Sequence, residues 1–175
     1  DFAELVIKEC DKHIKRDPEF FLRWNGTGDL FDESIESLDH IAEQLPALPI
    51  WVVTRIPKYA QSLLLKDRRN IFVHFSLDKL SMQRHTALLN LLGRVKPTNL
   101  FFSYQCDKNE DYTFQDVASV VFLNRYKSST NLPDDEAICP LNRFDNIEGI
   151  CRWCRRCFDG TAIQHSSNLH QSKRT

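Results

Sequence analysis

The sequence predicts an α/β protein, a parallel sheet or partial (β/α) barrel followed by a C-terminal cysteine-rich metal-binding appendage. Three observations point there. Short apolar runs alternate with helical patterns over the first three quarters of the chain. The strand runs carry an apolar face opposite one that turns polar toward their C-terminal ends. Four of the six cysteines fall between Cys139 and Cys157. Strands separated by helices pair in parallel through right-handed crossovers, which gives an open sheet or a barrel. The expected organisation is a barrel-like α/β domain over residues 1–130 and an appendage and tail over 131–175. Because Asp1 opens directly into a helical pattern, an upstream portion is expected to precede it.

The elements follow in order. Phe2, Leu5, Val6, Cys10 and Ile14 recur at helical spacing, and Asp17-Pro18 stops that first helix. Phe20 to Asn25 is a short aromatic and apolar strand that runs into the loop Gly26-Thr27-Gly28-Asp29. Ile35, Leu38, Ile41, Ala42 and Leu45 mark one face of a second helix, with Asp32 as its expected N-cap. The alternation continues with a strand at Ile50 to Thr54, a helix at Lys58 to Leu65, a strand at Ile71 to Ser76 and a helix at Lys79 to Gly93. Strands at Leu100 to Gln105 and Val117 to Leu123 complete it.

Side chains alternate across a strand, so each strand divides into two faces. Phe20, Leu22 and Trp24 oppose Arg23 and Asn25; Val73, Phe75 and Leu77 oppose His74, Ser76 and Asp78; Phe102, Tyr104 and Cys106 oppose Ser103, Gln105 and Asp107. The C-terminal ends of parallel strands are where such architectures place ligands. The expected lining of a site for a small polar ligand is therefore Arg23, Asn25, Asp29, Arg55, His74, Ser76, Ser103, Gln105 and Asn124. Arg55 suits a carboxylate or phosphate, and Asp29 suits an amine or hydroxyl. The glycine loop lacks the third glycine of a dinucleotide fingerprint and the Gly-Lys-Ser/Thr ending of a phosphate loop, and Asp29 would repel phosphate. No serine, cysteine or metal-protease catalytic motif is present.

Cys139, Cys151, Cys154 and Cys157 form the expected metal site. Two Cys-x-x-Cys steps sharing Cys154 resemble the turn around an iron–sulfur cluster more than the separated knuckles of a structural zinc site, with zinc as the alternative. The chain lacks the small size and cysteine density of a secreted disulfide scaffold. Cys10 and Cys106 stand apart on apolar faces, as buried inert thiols do.

Net charge is −1 over 175 residues, but residues 139–175 carry six basic and three acidic side chains. Arg152, Arg155 and Arg156, with Trp153 and Phe158, define the alternative reading of the appendage as a non-catalytic metal knuckle contacting nucleic acid. No apolar run is long enough to cross a bilayer, so no membrane partner and a cytoplasmic location are expected.

The segment Arg23-Trp24-Asn25-Gly26-Thr27-Gly28-Asp29-Leu30-Phe31, then Trp51-Val52-Val53-Thr54-Arg55, then Cys139-Pro140 and the Cys151 to Cys157 cluster, resembles the phage "gene product eighty-eight" family. The similarity covers most of residues 20 to 158. It implies a phage or mobile-element protein without implying a reaction. The strand-end pattern also looks like the later part of a radical S-adenosylmethionine enzyme. The three-cysteine loop of that family belongs near the start of the fold, and nothing equivalent precedes residue 139. S-adenosylmethionine is therefore implied only if an upstream segment supplies that cluster.

Overall fold

The computed structural model describes residues 1–25, 28–93, 97–106 and 120–123. The chain divides into two compact units, Asp1–Phe101 and Phe102–Thr175. The first contains α1 (Phe2–Arg16), β1 (Leu22–Trp24), α2 (Asp32–Gln44), β2 (Ile50–Thr54), α3 (Pro57–Leu65), β3 (Ile71–Leu77) and α4 (Gln83–Leu92). The strand β4 (Leu100–Cys106) begins in it, and β5 (Val120–Leu123) belongs to the second unit.

In the first unit the strands lie in chain order, β1-β2-β3. Leu22, Arg23 and Trp24 pair in parallel with Ile50, Trp51 and Val52, and Ile50 to Thr54 pair in parallel with Ile71 to Phe75. The N-terminal edge is set by a repeated hydrogen bond. Leu22 N–H donates to Pro49 O, Ile50 N–H to Asn70 O and Val73 N–H to Asn99 O. The two asparagines also brace the turns. Asn70 Nδ2 is directed at the carbonyls of Ala42, Leu45 and Leu48, and Asn99 Nδ2 donates to Ile71 O at 2.7 Å. In the second unit Ser103 to Cys106 pair in parallel with Val120 to Leu123.

Because consecutive strands are neighbours and parallel crossovers are right-handed, the helices between them fall on one face of the sheet. That face buries Trp24, Ile50, Val52, Ile71, Val73, Phe75 and Leu77. The helices supply Ile35, Leu38, Ile41, Ala42, Ala60, Leu63, Leu64 and Leu88 to the same core. At the β1 edge, α1 sets Phe2 edge-on to Trp24 with centroids 5.8 Å apart, and Glu4 reaches His40 of α2.

Several expected boundaries shift, each for a local reason. The N-cap of α2 is Phe31 rather than Asp32, which is the first helical residue. Phe31 is extended and has no side-chain acceptor for the first-turn N–H groups, while its own N–H donates to Ser34 Oγ at 3.4 Å. The fourth helix starts at Gln83 and not Lys79. Asp78 diverts the intervening residues into a turn by accepting the N–H groups of Leu80 and Ser81. The same helix ends at Gly93, whose φ of +59° suits a residue without a Cβ. No helix among the described residues is long and apolar enough to cross a membrane.

Candidate functional site

Three successive strand ends of the first unit are joined by one polar network. Asp29 follows β1, Thr54 ends β2 with Arg55 next after it, and Asp78 follows β3. The Asp29 carboxylate accepts from Thr54 Oγ1 at 2.5 Å, from Leu30 N–H at 2.7 Å and from Arg55 N–H at 2.9 Å. Thr54 is buried, and its oxygen in turn accepts from Ile56 N–H. The Arg55 guanidinium meets Asp78 Oδ2 at 3.4 Å, while Asp78 Oδ1 holds the turn that leads into α4. Arg84 from that helix donates to Arg55 O at 3.4 Å. Asp29 therefore serves as an internal brace between β1 and β2. Arg55 is half-buried, with 41% of its side chain open to solvent.

Burial works to raise the Asp78 carboxyl, but the Ser81 hydroxyl and N–H, the Arg55 charge and the Leu80 N–H outweigh it and hold Asp78 below the usual carboxylate range. Asp39 on α2 is likewise lowered, because Arg68 and Lys66 overcome its burial. A depressed folded-state value means that each carboxylate adds stability above its ordinary titration point, and that this is lost as pH falls through the folded value. Stability should hold near neutrality and decline as pH drops below about 4. Replacing both residues with asparagine should flatten that decline in urea titrations at pH 3 and pH 7.

The opposite face of the first unit's sheet is aromatic. Arg23 Cζ lies 4.5 Å from the centre of the Trp51 ring, an arrangement that pairs a cation with the ring's negative face. Trp51 meets His74 edge-on with centroids 5.7 Å apart, and His74 stacks on Phe101 at 5.2 Å. His74 is fully buried, Trp51 is 7% exposed and Arg23 is exposed.

The structure thus brings Asp29 and Arg55 into direct contact and adds Thr54 and Asp78, which the strand-face pattern did not select. Arg23 lies over Trp51 on the aromatic face. Asn25 closes β1 in a left-handed conformation with φ of +63°. His74 and Ser76 are buried on β3. Ser103 is buried and Gln105 half-buried, both on β4 in the second unit. Asn124, the arginines Arg152, Arg155 and Arg156, and the expected ligands Cys139, Cys151, Cys154 and Cys157 lie outside the described residues. Cys10 is a buried free thiol, pushed up in pKa by burial and by the charge of Glu9. Among the described residues no group of three or more histidine, cysteine or acidic side chains could hold a metal. A local signal for Asp78 was present in the sequence, since Asp-x-x-Ser after a strand is a turn motif.

These features define an α/β protein of successive parallel strand–helix units, with a polar strand-end network and an aromatic face opposite the helices that connect its strands. The family model described as Gene product 88 matches residues 1–160, and the chain belongs to that family. No curated protein and no solved structure matches the chain.

Proposed function

We propose that this protein binds a small polar molecule bearing an acidic group at the C-terminal ends of its strands, and that its cysteine-rich segment holds a metal centre. The observation that carries the ligand reading is the Asp29–Thr54–Arg55–Asp78 network, which fixes a partly exposed guanidinium at the edge where parallel strands present their ligands. Arg55 would take a carboxylate or phosphate in two-pronged fashion, with Asp29 and Asp78 setting its backbone and side chain. Within the first unit, Arg23 and Asn25 complete the proposed lining, and His74 and Ser76 are buried on β3.

The metal centre rests on Cys139, Cys151, Cys154 and Cys157, with an iron–sulfur cluster favoured over zinc by the shared Cys-x-x-Cys step. A partial barrel related to radical S-adenosylmethionine enzymes, in a phage or mobile-element setting, is the wider form of this reading. The alternative places Arg152, Arg155 and Arg156 on nucleic acid.

Calorimetry with S-adenosylmethionine and with free glutamate and methionine tests the ligand site. At least one should bind, and Arg55→Gln should weaken it about tenfold, the worth of one charge-assisted contact. Binding of an amino acid without S-adenosylmethionine would keep the site and remove the radical-enzyme relation. Absence of binding by all three, or equal binding by the variant, would sink the proposal.

A further inference from the structure

The ends of β2 and β3 are closed by a ring of contacts that carries two guanidinium groups. Asp78 Oδ2 meets Arg55 Nη1 at 3.4 Å, and Asp78 Oδ1 accepts from Ser81 N–H at 2.8 Å. Ser81 O accepts from Arg84 N–H at 2.9 Å, and Arg84 Nη1 returns to Arg55 O at 3.4 Å. Arg84 thus joins the same small loop as Arg55, although it comes from α4. It is exposed, and its contact with a neutral carbonyl is long beside the 2.7 Å between Arg68 Nε and Asp39. Bonds from arginine to an oxyanion run at about 2.8 Å and are stronger than bonds to neutral oxygen, so an anion draws Arg84 off that carbonyl at little cost. Arg84 is also the second residue of α4, whose first turn has no acidic side chain, so its charge adds to the positive end of the helix.

We infer that Arg84 is a second anion-binding residue beside Arg55, and that the acidic group taken at the strand ends is a phosphate monoester rather than a single carboxylate. The inference rests on the strand-end reading of Arg55 and narrows its ligand. A carboxylate gives both oxygens to one guanidinium in the two-pronged pairing, whereas a phosphate monoester has a third terminal oxygen and a second charge for the other. Arginine suits that role because its planar fork matches phosphate geometry. Asp29, whose charge would repel phosphate from the loop after β1, is turned inward and accepts from Thr54 Oγ1 and from the N–H groups of Leu30 and Arg55. Asp78 keeps its bonds to the turn through Oδ1 when its other oxygen gives way to a ligand.

Calorimetry on the full chain tests this by comparing methyl phosphate with acetate at about pH 8, where a phosphate monoester, with its second pKa about 6, is a dianion. Methyl phosphate should bind at least about tenfold more tightly than acetate. Arg84→Gln should weaken methyl phosphate about tenfold and leave acetate unchanged, since acetate uses Arg55 alone. Arg55→Gln should weaken both. Arg69→Gln removes an exposed cation just before β3, at the opposite edge of the sheet, and should alter neither. Arg84 is exposed, so its variant should keep the wild-type urea midpoint. Acetate bound through Arg55 as tightly as methyl phosphate overturns the inference and leaves the strand-end site standing. An Arg84→Gln variant that weakens both anions alike, or neither, does the same. If the wild-type chain binds neither anion, both readings fall. Methyl phosphate binding that depends on Arg84 but not on Arg55 also overturns the pairing of the two arginines.

Discussion

Asp29→Ala should destabilise the first unit by about 3 kcal/mol, because it removes the acceptor for Thr54 Oγ1 and for the N–H groups of Leu30 and Arg55 at once. Thr54 is 1% exposed, so water cannot readily replace the lost carboxylate there. The brace also spans residues 25 and 26 positions apart, so its loss separates the β1 loop from the end of β2. Asp29→Asn should fall between wild type and alanine, since the amide retains one acceptor but turns an N–H₂ toward a donor. The measurement is the urea midpoint at constant slope. Asp32→Ala is the matched control. That carboxylate meets Lys58 at 3.3 Å with both side chains more than 70% exposed, and its removal should cost less than about 0.5 kcal/mol. Equal effects at positions 29 and 32 would show that Asp29 is no brace.

Cys154→Ala should abolish metal binding. Cys154 belongs to both Cys-x-x-Cys steps, so its loss leaves no intact step in the proposed centre. Protein purified without oxygen should contain about one centre per chain, read as iron with acid-labile sulfide or as zinc. Cys10→Ala should leave metal content unchanged, because Cys10 is buried on α1 with its thiol held in the neutral form. Cys106→Ala should do the same. Four stoichiometric disulfide-bonded sulfurs at Cys139, Cys151, Cys154 and Cys157 without metal under reducing conditions would refute the centre. Metal loss in the protein should lower its melting temperature if the centre is structural, since metal binding to such a segment is folding energy.

Local periodicity made most of the architecture legible. Ile35, Leu38, Ile41 and Ala42 mark a buried helical stripe, and all four are 6% exposed or less. Alternation in Val73, Phe75 and Leu77 against His74 and Ser76 separates the two sheet faces, because side chains on a strand repeat every two residues. The polar half of that alternation carried less information than the apolar half. His74 and Ser76 read as open lining, yet His74 is fully buried between Trp51 and Phe101. Polarity in a strand says that a side chain can hydrogen-bond, and the neighbours that stack on it decide whether it meets solvent.

By itself the sequence determined the class of fold, the order of strands and helices, the motifs of the Gene product 88 family and the clustering of four cysteines. Each is a property of residues close together in the chain. Tertiary structure alone decided that Asp29 spends its carboxylate on Thr54 and Arg55, that Asn70 ties three carbonyls around the end of α2, and that Arg23 lies over Trp51. Those contacts join residues more than twenty positions apart, and they exist because parallel pairing sets Arg23 beside Trp51 and Val53 beside His74. Register is a cooperative outcome of packing the whole apolar face under its helices, and a one-residue slip would turn every one of these side chains to the other side of the sheet.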